Sequence, residues 1–265
     1  MSNIYFFLLF VSILFLTIFK NAKASEGVLV WKDWYRSSTF KCLKENSKEF
    51  VIIRSSDYDT GEVDLNAELN IINAGAAGIE NVDIYFSPCI KPSKHYKLCG
   101  DARKSITTVL DHLNKNNAKF GRVWLSIHGL IGCNDDNRWK KYGKTENIEF
   151  IDEMITTLKE RNQTFGFFTN KYNWHEITGN TRKYNDTPLL YGNYDGQNNF
   201  DDYTEYGYPF GGWEKPTMKR YINSVNNVAT GIMSGAATGT VVAGPVGAAV
   251  GAGIGAAIGL IRSLF

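Results

Sequence analysis

Arg122-Val123-Trp124-Leu125-Ser126-Ile127-His128-Gly129 reads as a buried strand, an apolar run closed by a glycine breaker. Ser126 and His128 lie two apart and therefore share one face. At the carboxyl end of a barrel strand, that face is the one from which catalytic side chains project. The pattern repeats on both sides of this run. Residues 28–31, 50–54, 82–86, 165–169 and 189–194 read as further strands. Between them, helical spacing covers 39–45 with Phe40 and Leu43 inward, and 65–75 with Leu69, Ile72 and neighbours on one face. It also covers 102–114 with Ile106, Val109, Leu110 and Leu113 together, and 146–161 with Ile148, Ile151, Met154, Ile155 and Leu158 inward. Residues 174–178 form a short helical turn. Alternating strands and helices predict a parallel sheet, most simply a closed α/β barrel.

The chain has 265 residues, enough for one medium domain with appendages, and a net charge of +2, which gives no electrostatic case for nucleic acid. Residues 1–24 read as a secretory leader: 4–19 is apolar and Ala22-Lys23-Ala24 is a small-x-small cleavage site. The alternative is an uncleaved anchor, since no Lys or Arg precedes the apolar run. Secretion, or residence in the secretory lumen, makes the four cysteines disulfide candidates. Cys89 and Cys99 bracket a short loop containing Pro92 and are expected to pair. Cys42 and Cys133 are a possible second bridge, although four cysteines allow three pairings. Asn162-Gln163-Thr164 and Asn185-Asp186-Thr187 are glycosylation sequons.

From Val228 the composition changes to Gly, Ala, Val and Ile with a single charge, Arg262. Gly231, Gly235, Gly239, Gly247, Gly251, Gly255 and Gly259 recur every four residues, with Ala243 in the missing step. On a helix they fall along one face, as in close-packed association within lipid. The expectation for 224–265 is a glycine-zipper helical hairpin, membrane-inserted and self-associating, broken at Gly244-Pro245. The alternatives are a low-complexity tail or a soluble helix packed on the barrel. Arg262 argues against a lipid-anchor signal.

Several runs carry a family resemblance. They are Ser38-Thr39-Phe40-Lys41-Cys42-Leu43 followed by Phe50-Val51-Ile52-Ile53-Arg54; Asn73-Ala74-Gly75-Ala76-Ala77-Gly78 with Asn81-Val82-Asp83-Ile84-Tyr85-Phe86-Ser87-Pro88-Cys89; Phe165-Gly166-Phe167-Phe168-Thr169-Asn170-Lys171-Tyr172-Asn173-Trp174; and Pro188-Leu189-Leu190-Tyr191-Gly192-Asn193-Tyr194-Asp195 through Phe210-Gly211-Gly212-Trp213-Glu214-Lys215-Pro216. In this order they resemble glycoside hydrolase family 25, in its nematode and amoeba lysozyme-like branch. The resemblance implies an irregular TIM-like (β/α) barrel over 25–223, no cofactor and, in active members, muramidase action on peptidoglycan.

Active members end the opening strand in Asp-x-Glu; matched residue by residue, the Asp falls on Ser126 and the Glu on His128. Glycoside hydrolysis needs a proton donor for the leaving oxygen and negative charge beside the developing oxocarbenium ion. Serine supplies neither. Histidine donates a proton only when cationic, and then carries the wrong charge. The resemblance thus implies a lysozyme-like protein with impaired chemistry, binding glycan or peptidoglycan in defence. The alternatives are an active muramidase using other acids and a membrane-active effector using the glycine tail.

Asp33 stands nearest the acid expected after the first strand, while Asp83 and Asp195 match acidic positions lining the cleft. Asp135 and Asp136 follow the opening strand and offer a relocated acid. Tyr85, Trp124, Tyr194 and Trp213 match cleft positions suited to stacking on sugar, with core packing the alternative for Trp124. Residues 195–208 read as a loop forming a binding rim. His95, His112, His128 and His175 show no metal-ligand spacing, so no metal is expected. Ser126 and His128 as like-facing strand neighbours do not ordinarily form a nucleophile–base hydrogen bond, and no orienting carboxylate is evident.

Overall fold

The computed structural model describes residues 25–31, 33–129, 139, 143–204, 208–222, 240–242 and 258–263. The leader, Cys133, Asp135, Asp136 and the tail glycines 231, 235, 239, 247, 251 and 255 lie outside the described residues.

Seven strands run parallel in chain order: β1 (Ser25–Val30), β2 (Lys48–Arg54), β3 (Asn81–Phe86), β4 (Val123–Ser126), β5 (Phe165–Thr169), β6 (Leu189–Gly192) and β7 (Met218–Ile222). The connections carry α1 (Ser37–Glu45), α2 (Leu65–Ala76), α3 (Ala102–Lys115), α4 (Lys144–Glu160), α5 (Lys171–Thr178) and α6 (Asp201–Thr204). Leu29, Phe50, Ile52, Tyr85, Trp124, Phe168, Leu190 and Met218 form one buried cluster. Side chains from seven successive strands meet only if the sheet curls around them. The opposite face of the sheet, including Val51, Ile53, Ile84, Leu125 and Phe167, packs under the helices through Phe40, Ile71, Ile106 and Met154.

Local chemistry sets the element boundaries. Asp64, Asp101 and Asn170 cap the amino ends of α2, α3 and α5 by accepting from Asn66, Lys104 and Asn173 N–H groups. Gly179 ends α5 in the left-handed region at φ 68°. A Cβ on Gly166 would stand 2.6 Å from the Trp124 ring, so the glycine in β5 is what admits the indole. Cys89 and Cys99 are bridged, closing the segment after β3. Cys42 is half-buried and unbridged, so the second pairing finds no support among the described residues.

Three expectations are corrected. The face of α2 bearing Leu69 and Ile72 points to solvent, each residue 43% exposed, while Ala67, Asn70, Ile71 and Ala74 pack inward. Asn70 is the reason: its Oδ1 accepts from Tyr35 N–H at 2.9 Å and its Nδ2 donates to Asp33 O at 2.8 Å. A polar residue thus anchors the loop after β1 and fixes the helix rotation. The second correction concerns β7, which the polar run Met218-Lys219-Arg220 conceals. Outward-facing Lys219 is fully buried because it pairs with Asp195 at 2.6 Å and Asp202 at 2.8 Å. The third concerns the tail. Its described parts are strands, β8 (Thr240–Val242) and β9 (Ile258–Ser263, containing Gly259), rather than a helical hairpin. Both pair antiparallel with β1 and β7, covering the two edges that a seven-strand sheet leaves open. Glycine costs a helix about 1 kcal/mol relative to Ala, and β-branched Val and Ile favour strands. Among the described residues no helix is long and apolar enough to cross a membrane.

Candidate functional site

Alternation along the strands puts Arg54, Tyr85, Ser126, His128, Phe168 and Arg220 on the inward face near the carboxyl ends. Their side chains form the mouth of the barrel. Ser126 Oγ and His128 Nδ1 are 3.2 Å apart, so the two do meet, contrary to expectation for strand neighbours. The imidazole meets the Phe168 ring edge-on at 4.5 Å. Burial, helped by the Arg220 charge, pushes His128 down to about 3, so it is neutral at physiological pH. When Ser126 donates to Nδ1, the ring proton stands on Nε2, a buried atom with no partner among the described residues. No hydrogen-bonded carboxylate orients this pair among the described residues, so a serine–histidine–acid triad is not assembled.

The neighbouring charges belong to an ion-pair cluster. Arg54 Nε donates to Asp64 at 2.7 Å, and its guanidinium lies 3.6 Å from Asp57. Burial raises the Asp64 carboxyl even though Arg54 pulls it down. Tyr85 is buried with its ring edge-on to Phe168 at 6.0 Å, and burial raises its phenol above the normal range. Arg220 stands 5.2 Å from the centre of the Tyr194 ring and 6.0 Å from that of Phe168.

Around this mouth stands a rim of rings. Among the described residues the exposed aromatics are Trp31, Trp34, Tyr96, Tyr172 and Tyr194, 40% to 55% accessible. Each follows the carboxyl end of a strand: β1 for both tryptophans, then β3, β5 and β6. Sequence reasoning singled out only Tyr194; for Trp31, Trp34 and Tyr172 the available signal was an aromatic residue just beyond a strand end, whereas Tyr96 stands in the bridged segment after β3.

Other expected residues stand elsewhere. Trp124 is fully buried and donates from Nε1 to Asp83 Oδ2 at 2.9 Å, while Asp83 Oδ1 accepts from Arg122 N–H at 2.7 Å. This pair belongs to the amino-terminal floor, beside a cavity of about 300 Å3 lined by strand beginnings. Trp213 is buried outside the barrel against Trp174 at 4.9 Å and donates to Thr187 O at 2.7 Å. Asp195 is committed to Lys219 outside the sheet. Asp33 lies in the loop after β1; burial, with the Asp33 charge second, holds the Tyr35 phenol up at about 12. Asn162 and Asn185 are exposed. Among the described residues no three His, Cys, Asp or Glu side chains gather as a metal site.

A curled parallel sheet with its open site at the strand carboxyl ends is the architecture of family 25 lysozymes. The crystal structure of the bacterial lysozyme from Streptomyces coelicolor superposes with a TM-score of 0.59 over 92% of this chain and 93% of that one, at 13% identity. The modular autolysin LytC from Streptococcus pneumoniae, solved in complex with a synthetic peptidoglycan ligand, matches at TM-score 0.52 and 13% identity over 76% of this chain and 43% of its own. In sequence, the family model described as "Lysozyme-like protein 1" matches residues 24–221. "Probable GH family 25 lysozyme 2" of Dictyostelium discoideum is 32% identical over 82% of this chain and 92% of its own. The chain belongs to the lysozyme-like proteins of glycoside hydrolase family 25.

Proposed function

We propose that this protein is a secreted lysozyme-like glycan binder that holds peptidoglycan-type chains across the mouth while the muramidase reaction is impaired. The Ser126–His128 pair at the end of β4 carries the reading. Its imidazole is neutral at physiological pH and so lacks the acidic imidazolium proton, and neither side chain places negative charge beside an oxocarbenium ion. The rim of Trp31, Trp34, Tyr96, Tyr172 and Tyr194 supports binding, because aromatic faces pack on the apolar faces of sugar rings. The Cys89–Cys99 bridge supports passage through an oxidising compartment. The peptidoglycan complex of the distant autolysin supports the choice of ligand.

The test is co-sedimentation and release of label with insoluble labelled peptidoglycan. The purified protein is expected to bind without turnover, and the Ser126→Asp/His128→Glu variant to gain hydrolysis. Robust turnover by the unaltered protein overturns the reading. One observation favours a second reading, retained hydrolysis through a different acid: Asp64 is a buried carboxyl at the mouth held above its usual range. In that case Asp64→Asn abolishes the turnover and Asp83→Asn does not act through the mouth.

A further inference from the structure

Strand β7 carries two adjacent cations that point opposite ways. Lys219 faces outward and is fully buried, with Nζ 2.6 Å from Asp195 and 2.8 Å from Asp202. Arg220 faces the mouth, its guanidinium 5.2 Å from the centre of the Tyr194 ring and 6.0 Å from that of Phe168. The segment after β6 runs alongside: Asn193 N–H donates to Arg220 O and Gly196 N–H to Tyr221 O, each at 3.0 Å. Two neighbouring residues of that segment are thus gripped by two neighbouring residues of β7. Lys219 takes Asp195 on the outside, and Arg220 takes the Tyr194 ring on the inside.

The chemistry offered to a ligand follows from this arrangement. Ring contacts consume none of the five N–H donors of a guanidinium, whose planar fork matches a carboxylate. His128 shares the Phe168 ring with Arg220, and its Nε2 has no partner among the described residues, so with the ring proton there it adds a further donor. The carboxylates beside the opening, Asp57 and Asp64, are drawn to Arg54 instead. The charge that bears on the His128 ring is the Arg220 cation. This part of the mouth therefore presents donors and positive charge next to Tyr194, a ring 44% exposed.

Resting on the glycan-binding reading above, we propose that Arg220 and Tyr194 make the mouth selective for acidic sugars. The Tyr194 face packs on a sugar ring, and the Arg220 fork holds the carboxylate that this sugar carries. Lys219 and Asp195 are the positioning pair that keeps Tyr194 against Arg220. Two kinds of glycan carry the required chemistry: peptidoglycan strands whose lactyl carboxylates are free of stem peptide, and oligouronates.

The experiment measures binding of the purified protein to both glycans and to each with its carboxylates capped, as methylamides for the strands and methyl esters for the oligouronate. At least one acidic form is expected to bind about tenfold or more tighter than its capped counterpart, the worth of a charge-assisted hydrogen-bond pair. Preference for the stripped strands alone assigns the lactyl group, preference for the oligouronate alone assigns the uronate, and preference for both assigns any sugar carboxylate. Arg220→Gln is expected to abolish the preference while binding of the capped glycans persists. Asp195→Asn leaves Lys219 its Asp202 partner and is expected to cut the preference about threefold or more, with affinity for the capped forms unchanged, which a general loss of stability would not do. Equal binding of acidic and capped forms by the unaltered protein, or an undiminished preference in Arg220→Gln, overturns the proposal and leaves the glycan-binding reading standing. Binding of neither form overturns both. An undiminished preference in Asp195→Asn removes the positioning role.

Discussion

At the floor of the barrel the inward side chains close on one another, whereas about 13 Å further along the same strands they face an open mouth, at roughly 3.3 Å per residue. Trp124 and His128 belong to one run and one face. Trp124 is fully buried, bonded to Asp83 and admitted by Gly166. His128 keeps a buried nitrogen with no partner among the described residues. Trp124 uses its polar atom to hold the floor together; His128 keeps one facing the mouth. A residue type common to both ends, such as an aspartate or a tryptophan, therefore means different things at different heights. Burial raises both carboxyls, but Asp83 accepts from Arg122 N–H and the Trp124 indole at the floor, while Asp64 pairs with Arg54 beside the opening.

The contrast predicts that floor substitutions cost stability and rim substitutions cost binding. The largest effect is expected for Trp124→Ala, which removes a fully buried indole and strands the Asp83 carboxylate. A loss of about 3–5 kcal/mol in urea unfolding is expected, and an unchanged midpoint would break the division. The next concerns the pH dependence of stability. His128 is held at about 3 in the folded chain and returns to its ordinary 6.5 on unfolding. Above pH 6.5 both states are neutral and the group costs nothing. As pH falls from 6.5 towards 3 the unfolded state binds the proton, so stability declines by up to about 1.4 kcal/mol per pH unit. His128→Asn is expected to flatten that slope in thermal melts between pH 6.5 and 4; an unchanged slope would show that the mouth does not exclude water from the ring. The smallest stability effect is expected at the rim. Trp34→Ala and Tyr172→Ala should each weaken peptidoglycan co-sedimentation about three- to tenfold, the worth of one aromatic contact, while leaving stability within about 0.5 kcal/mol. Unaltered binding in both would remove the rim from the site.

Most of the architecture was legible in the chain. The six predicted strands and the four longer helices form where apolar periodicity puts them, and Cys89 pairs with Cys99 across its short loop. What escaped has a common cause, polar groups buried through partners distant in sequence. Asn70 turns the α2 face towards Asp33 and Tyr35. Lys219 makes a polar run into a core strand by pairing with Asp195 and Asp202. The tail strands likewise answer the open edges of β1 and β7, a demand invisible in the glycine spacing. At the site, Ser126, His128, Tyr85 and Tyr194 do stand at the mouth, whereas Asp83, Trp124, Trp213 and Asp195 serve the floor and the outer wall.

The sequence by itself determined the order of the first six strands and four longer helices, the family and which residues of a strand share a face, because side chains alternate with a period of two whatever the neighbours do. Only the tertiary structure decided how deep each inward residue lies. Depth is set by the register between strands, Tyr85 beside Trp124 and Ser126 beside Phe168, and by the curl that carries those pairs to one end or the other. Period fixes a face; register fixes a height, and in this barrel height separates the groups that hold the fold together from those left to meet a ligand.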